Sequence, residues 1–198
     1  MATLKVERRL QMNFIAGKIE EFHVLTAQYA KEFAGLTTAE MDTKPAPDRW
    51  SMNECLDHLI RSNGTYHAML QAVAVGTYRP TGWSKVPLLP ALWGRMILKS
   101  VSPVYAGKNK TFKVWQPSSS TFGRNMCGEF KEANEELARL LQGIAHVDLE
   151  WIIVTSPAAK FVAYPLKTCV EILVEHEKRH FNQALQVKRE VASRSPEA

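Results

Sequence analysis

Four long segments in which apolar residues recur at steps of three and four constrain the fold of this chain most strongly. The first runs from about Leu4 to Phe33, and the others cover about 51–76, 118–144 and 165–191. Such spacing places the apolar side chains of each segment on one face of an α-helix. Four amphipathic helices with almost no strand signal predict an all-α protein, a four-helix bundle that forms a single domain over residues 1–198.

Local signals indicate where these helices begin and end. Ser51 and Glu54 have the spacing of a capping box at the start of the second helix, and Gly76 is expected to end it. Any of Ser118–Ser120 could cap the third helix, and Pro165 suits the first position of the fourth. The run from Trp151 to Thr155 is the best strand-like segment, but it is too isolated to predict a sheet.

The connection between helices two and three, about residues 77–117, is long and contains five prolines. Its centre, about 88–101, is expected to form a short helix. A connection of roughly forty residues can carry the chain back along a bundle. A crossover that leaves helices two and three parallel is therefore permitted.

Charge is distributed unevenly along the chain, whose formal net charge is +5. The segment between Asp57 and Glu129 contains no acidic residue but nine basic ones: Arg61, Arg79, Lys85, Arg95, Lys99, Lys108, Lys110, Lys113 and Arg124. The positive electrostatic field of such a segment would attract carboxylates, phosphates or nucleic acid. A solvated loop that binds nothing is an equal alternative.

Nucleic-acid binding is a hypothesis of a different class. Five aromatic residues lie among these basic residues and could stack on single strands: Tyr78, Trp83, Trp93, Tyr105 and Trp115. They are mixed with Pro, Leu and Val, which is more typical of a packed lid. The net charge is also modest, so a small-molecule ligand is favoured over nucleic acid.

Compartment signals favour the cytoplasm. Cys55, Cys127 and Cys169 are odd in number and form no C-x-x-C pair, so we expect reduced and mostly buried thiols. The first residues lack the apolar core of a signal peptide. The longest apolar stretch, residues 86–98, is interrupted by Pro87, Pro90 and Arg95 and is too short to cross a membrane.

The buried stripe of the fourth helix contains the residues most suited to chemistry. It reads Leu166, Cys169, Leu173, His176, His180, Gln183 and Val187, with steps of three and four throughout. Imidazoles four residues apart on one helix face can bind the same metal ion. A hydrogen-bonded pair of core histidines is the alternative.

A third ligand has to come from elsewhere in the chain. His58 is the best candidate, because it lies beside the inward stripe of helix two and near its capped start. His67 could replace it only in a different bundle register. His23 and His146 are expected at the surface.

The run His176-Glu-Lys-Arg-His180 also matches H-E-x-x-H, the zinc metalloprotease signature. The longer form of that motif is absent, and no histidine follows His180. Glu190, the remaining candidate ligand, is only ten residues downstream. Strand signal for aligning a peptide substrate is poor, so a protease is disfavoured.

Two separated motifs are similar to those of the DinB-like superfamily. Trp50-Ser-Met-Asn-Glu-Cys-Leu-Asp-His58 resembles its Trp-Ser-x-x-Glu-x-x-x-His segment, and His176-Glu-Lys-Arg-His-Phe-Asn-Gln183 resembles its His-x-x-Arg-His-x-x-Gln segment. The resemblance implies an up-down-down-up four-helix bundle, commonly a homodimer, with nickel or zinc held by three histidines. The matching positions are His58, His176 and His180. Some members transfer low-molecular-weight thiols such as bacillithiol or mycothiol, and others are described as metal-dependent hydrolases.

Three neutral imidazoles leave a divalent ion its charge and an open position. Water there would lose a proton near neutral pH and support hydrolysis, whereas a thiol would become a thiolate and support S-transfer. The ligands do not choose between the two reactions, and the substrate is a small molecule, expected to be anionic if the basic segment covers the site.

Neighbouring residues have predicted roles of their own. Glu177 is a candidate general base, although a solvent-facing or ion-paired position suits it better, and Gln183 could hydrogen-bond a ligand or the substrate. Arg179 is expected in a surface or interhelical ion pair. Trp50 and Trp115 are expected to wall the mouth of the pocket.

Overall fold

The computed structural model describes residues 2–82, 88–105, 107 and 110–194. The described chain is mostly helical, as the all-α prediction requires. Its elements in chain order are α1 (Ala2–Phe33), α2 (Thr38–Asp42), α3 (Met52–Gly64), α4 (His67–Ala74), α5 (Leu89–Val101), a 3-10 helix (Lys113–Trp115), α6 (Cys127–Gly143), β1 (Ile153–Thr155), β2 (Ala163–Pro165) and α7 (Leu166–Ala192).

The start of α3 is fixed by the predicted capping box. The Ser51 hydroxyl accepts a hydrogen bond from the Glu54 amide at 3.1 Å, and the Glu54 carboxylate accepts one from the Ser51 amide at 2.7 Å. Lys44 pairs with the same carboxylate at 2.9 Å. These contacts satisfy amide groups that a helix start leaves without intrahelical partners. They hold the first turn of α3 rigidly, one turn before His58.

The second predicted helix is divided into two. Between α3 and α4 the amides of Thr65 and Tyr66 bond to the carbonyl groups three residues earlier, those of Ser62 and Asn63. The continuous helix predicted for residues 51–76 was wrong in this respect. The predicted end was right, because Gly76 adopts a positive φ of 72° just after α4.

The predicted start of the third helix at 118–120 was wrong, since α6 begins at Cys127. Two aspartates outside the segment hold it in a non-helical conformation. Asp57 accepts hydrogen bonds from the Ser118 amide at 2.6 Å and from its hydroxyl at 3.1 Å. Asp42 accepts from the amides of Phe122 and Gly123, each at 3.0 Å. These contacts come from distant parts of the chain, so the local capping signal could not reveal them.

The strand-like run does have a partner, contrary to the expectation that it is isolated. Strand β1 pairs antiparallel with β2, and Val154 lies opposite Tyr164. This small two-stranded sheet ends at Pro165, immediately before α7 begins, as the proline signal predicted. Gly94 of α5 packs closely on strand β2, since a Cβ atom at Gly94 would lie 3.3 Å from the Cβ atom of Tyr164.

Cross-helix contacts indicate the directions of α1 and α7. Lys178 pairs with Glu21 at 2.6 Å, and Lys188 pairs with Glu32 at 3.1 Å. The contacts advance together along both helices, which is the pattern of a parallel pair. Contacts between α3 and α7 run the opposite way.

The opposite direction of α3 and α7 follows from two polar contacts. Arg49, just before α3, pairs with Glu190 near the end of α7 at 2.5 Å. Asn63, near the end of α3, bonds to Glu177 in the middle of α7 at 2.7 Å. These directions are compatible with the up-down-down-up order, which stays a prediction for the bundle as a whole.

All three cysteines are free thiols, and two of them are buried, as expected. Burial raises the pKa of Cys55 and Cys169 far above the ordinary thiol value, and it raises the pKa of Cys127 to about 11. These groups are therefore unreactive thiols near neutral pH. Within the described ranges, no helix has the length and apolar character needed to cross a membrane.

Candidate metal centre

Three histidines converge at the contact between α3 and α7. The Nε2 atom of His176 lies 3.1 Å from the Nε2 atom of His58 and 3.1 Å from that of His180. One ring nitrogen from each residue falls within 4.8 Å of the others. Zinc binds histidine nitrogens at about 2.0–2.1 Å, so two nitrogens 3.1 Å apart are close enough to bind the same ion.

His58 has a defined tautomer. Its Nδ1 atom lies 2.6 Å from the backbone carbonyl oxygen of Trp115. Because a carbonyl only accepts hydrogen bonds, the neutral ring carries its proton on Nδ1. The lone pair on Nε2 therefore faces His176. A hydrogen bond of this kind commonly orients a histidine that binds metal.

All three imidazoles are neutral near pH 7. Burial lowers the pKa of His58 to about 4. Burial is also the largest cause lowering the pKa values of His176 and His180 well below the ordinary value, with smaller effects from neighbouring histidines and from Arg179. The neutral form is the one that binds metal. Nitrogen lone pairs that converge in a buried site repel each other unless a proton or a cation lies between them. The three residues therefore fit a divalent ion that prefers imidazole, such as zinc or nickel.

Two tryptophans lie close to the histidines. The ring of Trp50 lies 4.9 Å from that of His58 and is stacked at 5.8 Å on that of His180, measured between centroids. Trp115 contributes the carbonyl group described above, and its indole nitrogen donates to Thr65 Oγ1 at 3.2 Å. Both tryptophans line a cavity of about 1390 Å³ that reaches the three histidines.

One half of this cavity has polar walls. It lies beyond His180 towards the end of α7 and the start of α3, which run in opposite directions. Its polar lining residues include Asp48, Arg49, Glu54, Ser118, Ser119, Ser120, Asn182, Gln183 and Gln186. Ser118–Ser120 and Lys110, which also lines the cavity, belong to the basic segment, so part of this segment borders the cavity that reaches the histidines. Lys108 lies outside the described residues.

Glu177 is fully buried, so the expectation of a solvent-facing or ion-paired position was wrong. Asn63 donates to its Oε1 atom at 2.7 Å, and Asn134 donates to Oε2 at 3.1 Å. Burial raises the pKa of Glu177 to about 8, while both amides oppose this rise. Its assignment as a general base stays a prediction. The link from Glu177 to the cavity is Asn63, which lines it.

Arg179 was expected in an ion pair, but it binds backbone carbonyl groups instead. It donates to the oxygens of Ser102, Tyr105 and Gly107 at 3.0, 2.7 and 2.9 Å. The guanidinium carbon also lies 5.6 Å from the Tyr105 ring centroid. This residue ties the segment after α5 to α7. Spacing along α7 gave no signal for such a role, because the acceptors are backbone atoms of a distant segment.

Gln183 follows His180 by one turn and lines the cavity. Its side chain interacts with the His180 ring and partly offsets the burial effect that lowers the pKa of that histidine. Its catalytic role stays a prediction.

The other histidines lie away from this cluster. His67, on α4, interacts electrostatically with Glu136 and Arg139 of α6. His23 and His146 are exposed, as expected.

The aromatic residues of the basic segment are mainly packing residues. Tyr78, Trp93 and Trp115 are partly buried against the hydrophobic core. Tyr105 packs against Arg179. Trp83 lies outside the described residues. Bases would have few exposed rings on which to stack among the described residues, so the packed-lid interpretation is favoured.

The fold and the site together define a helical protein with a largely buried three-histidine cluster facing a large cavity. The chain belongs to the DinB superfamily, which it matches over residues 21–184. It is also similar to the uncharacterized protein YuaE of Bacillus subtilis strain 168, at 23% identity over 161 residues, covering 81% of this chain and 90% of that protein. No solved structure matches the sequence.

Proposed function

We propose that this protein is a divalent-metal-dependent enzyme that transfers a low-molecular-weight thiol to an electrophile. The observation that carries the proposal is the convergence of three neutral imidazoles on one point beside a cavity. We further propose that it acts in the cytoplasm as a homodimer of single-domain, up-down-down-up bundles. The family match and the three-histidine cluster support metal-dependent chemistry.

His58, His176 and His180 would hold zinc or nickel. A divalent ion held there would lower the pKa of a bound thiol or water molecule. The side chain of Trp50 packs against His58 and His180 and would shield that side of the site from water. In the proposed reaction a sulfur–carbon bond forms, the bond from that carbon to its leaving group breaks, and the thiol proton leaves with the departing group.

The polar half of the cavity supports an anionic thiol as the co-substrate. Its serine hydroxyls and side-chain amides can hydrogen-bond carboxylate or hydroxyl groups. Arg49, Lys110 and Arg179 line the same cavity and add positive charge. The lining also includes the carboxylates of Asp48 and Glu54, the second of which pairs with Lys44. Gln183 lies between this half and His180, where it can orient the ring or bind the thiol compound.

Glu177 has a proposed indirect role. Its carboxylate holds the Asn63 amide, and Asn63 lines the cavity near the histidines. A proton could therefore pass between Glu177 and the substrate only if Asn63 rearranges or a water molecule bridges them. We propose Glu177 as the candidate general base on this basis.

Metal content tests the first part of the proposal. Untagged protein purified without added metal should contain close to one equivalent of zinc or nickel by plasma mass spectrometry. His58→Ala should lose most of it, whereas His23→Ala, which changes an exposed histidine, should retain it. Sub-stoichiometric metal in the wild type, or full retention by His58→Ala, would contradict the site.

Activity tests the second part. The metal-loaded protein is offered 1-chloro-2,4-dinitrobenzene with cysteine, glutathione or bacillithiol, and the thioether product is followed by absorbance. Nitrophenyl esters without thiol provide the hydrolase comparison. Thioether formation that requires His176 supports transfer. Ester hydrolysis alone would instead favour a metal-dependent hydrolase.

A further inference from the structure

The cavity continues past the histidines in the direction away from its polar half. Leu173 precedes His176 by about one turn of α7, and Tyr66 follows His58 by about two turns near the end of α3. Because α3 and α7 run in opposite directions, both residues lie on the same side of the histidines. Aliphatic side chains line this part of the cavity, among them Ile97, Val101, Ala159, Val162, Ile172 and Leu173.

The size of the cavity allows two ligands at once. Sites for single small molecules commonly enclose roughly 300–1000 Å³. The volume of about 1390 Å³ exceeds what one compact substrate needs. A polar compound in one half therefore leaves room for a second molecule in the other half.

Three buried hydroxyl groups of the apolar half interact with one another. The hydroxyls of Tyr66 and Tyr164 lie 2.9 Å apart, and that of Ser156 interacts with both phenols. All three residues line the cavity, and none is more than 6% exposed. They come from α3–α4, from β2 and from the loop between the strands, so the hairpin is what brings them together.

These hydroxyls remain protonated. Burial is the largest cause raising the pKa values of Tyr66 and Tyr164 well above that of free tyrosine. A neutral hydroxyl can donate one hydrogen bond and accept others. Among the aliphatic side chains, this cluster offers a ligand oxygen hydrogen-bonding partners, and leaving that oxygen unpaired would cost binding free energy.

We propose that the apolar half of the cavity binds an uncharged, hydrophobic substrate whose carbonyl or hydroxyl oxygen is held by Tyr66, Tyr164 and Ser156. The aliphatic walls contact its hydrocarbon body. This assignment deepens the proposed function by naming the class of the electrophile, which would meet the thiol beside the three imidazoles. Binding in this half needs no metal, so it can be tested separately.

Two probes of the same shape isolate the contribution of the hydroxyls. The ketone 2-acetylnaphthalene carries an oxygen where 2-isopropenylnaphthalene carries a methylene group. We expect the wild-type protein to bind the ketone about tenfold more tightly than the alkene in a calorimetric titration. Tyr164→Phe and Tyr66→Phe should each remove most of that preference. Tyr29→Phe is the matched control, because Tyr29 is buried outside the cavity lining and should leave the preference intact.

A second variant locates the probes. Ala159 lines the cavity, and Ala159→Phe should weaken both probes several-fold by filling the apolar half. Equal wild-type affinities for the two probes, an unchanged preference in both tyrosine variants, or unchanged affinity in Ala159→Phe would each overturn the proposal. His176→Ala separates the two hypotheses. Ketone binding that survives in this variant supports the apolar subsite whether or not thiol transfer is found.

Discussion

The Nδ1 atom of His58 donates a hydrogen bond to the backbone carbonyl oxygen of Trp115 at 2.6 Å. A residue of the histidine cluster is therefore oriented by the segment that covers the cavity. That segment is attached to α3 on either side of His58. Thr65 accepts from the Trp115 indole, and Asp57 accepts from Ser118. Metal affinity and the position of this segment should consequently depend on each other.

Removal of the Thr65 anchor should weaken metal binding. In Thr65→Val the Trp115 indole loses its acceptor, and the carbonyl group that orients His58 becomes less well placed. We expect about tenfold lower zinc affinity, measured by competition with a chromophoric chelator. Thr43→Val is the matched control, since the Thr43 hydroxyl bonds only to Ala39 in the described contacts and lies at the end of α2. Equal zinc affinities of Thr65→Val and wild type would show that the anchor does not act on His58.

Metal removal should lower thermal stability. A ligand that binds only the folded state, present at a hundredfold over its Kd, stabilises that state by about 2.7 kcal/mol. For a chain of this size such a change corresponds to a melting temperature higher by about 5–10 °C. Scanning calorimetry with zinc and with a chelator measures the difference. His180→Ala should melt at the same temperature in both conditions, and a shift of wild-type size in this variant would contradict its role as a ligand.

The metal-free protein should lose stability in mild acid. The folded-state pKa of His58 is about 4, whereas an unfolded histidine titrates near the ordinary value of about 6.5. Between these values the unfolded chain binds more protons, so the free energy of unfolding falls as the pH falls. His58 alone should contribute about 2 kcal/mol of loss between pH 7 and pH 5. Urea titrations at several pH values should show that the free energy of unfolding depends less on pH in His58→Gln than in wild type. An equal pH dependence in the two proteins would show that His58 is not the cause.

Glu177 should have the opposite effect on stability. Its folded-state pKa of about 8 lies above the ordinary value, so the folded protein holds the proton more tightly than the unfolded chain. Stability from this group is present at pH 4 and is lost as the pH rises towards 8. Glu177→Gln lacks this titration and should gain about 2 kcal/mol relative to wild type between pH 5 and pH 7.

The same variant separates a catalytic from a structural role of Glu177. Glutamine can accept from one of the two asparagines and donate to the other, because the Oδ1 atoms of Asn63 and Asn134 have no hydrogen-bond partner. We therefore expect Glu177→Gln to fold and to bind zinc with wild-type affinity. A large fall in kcat with KM unchanged would support the general-base assignment, whereas unchanged kcat would remove it.

The sequence determined those features that depend on neighbouring residues. The capping box at Ser51 and Glu54 needs only one turn of helix, and the inward-facing positions of His176 and His180 follow from helical periodicity. Both were predicted correctly, as was the helix after Pro165, because hydrogen bonding and side-chain spacing within a helix are local properties. The all-α class followed from the same periodicity.

Only the tertiary structure decided how these elements meet. It placed His58 against His176. In the sequence, the prediction that His58 joins the site depended on its position beside the inward stripe of helix two and on a family resemblance. Glu177 is buried against two asparagines from other helices, and Arg179 donates to three backbone carbonyl groups. Contacts with Asp57 and Asp42 hold the preceding segment, so α6 begins only at Cys127. Each of these contacts joins residues far apart in the chain, so each depends on helix packing and loop paths that local periodicity does not specify. The sequence alone predicted that His176 and His180 lie on one helix face. The position of His58 beside them and the two halves of the cavity depend on how the helices pack.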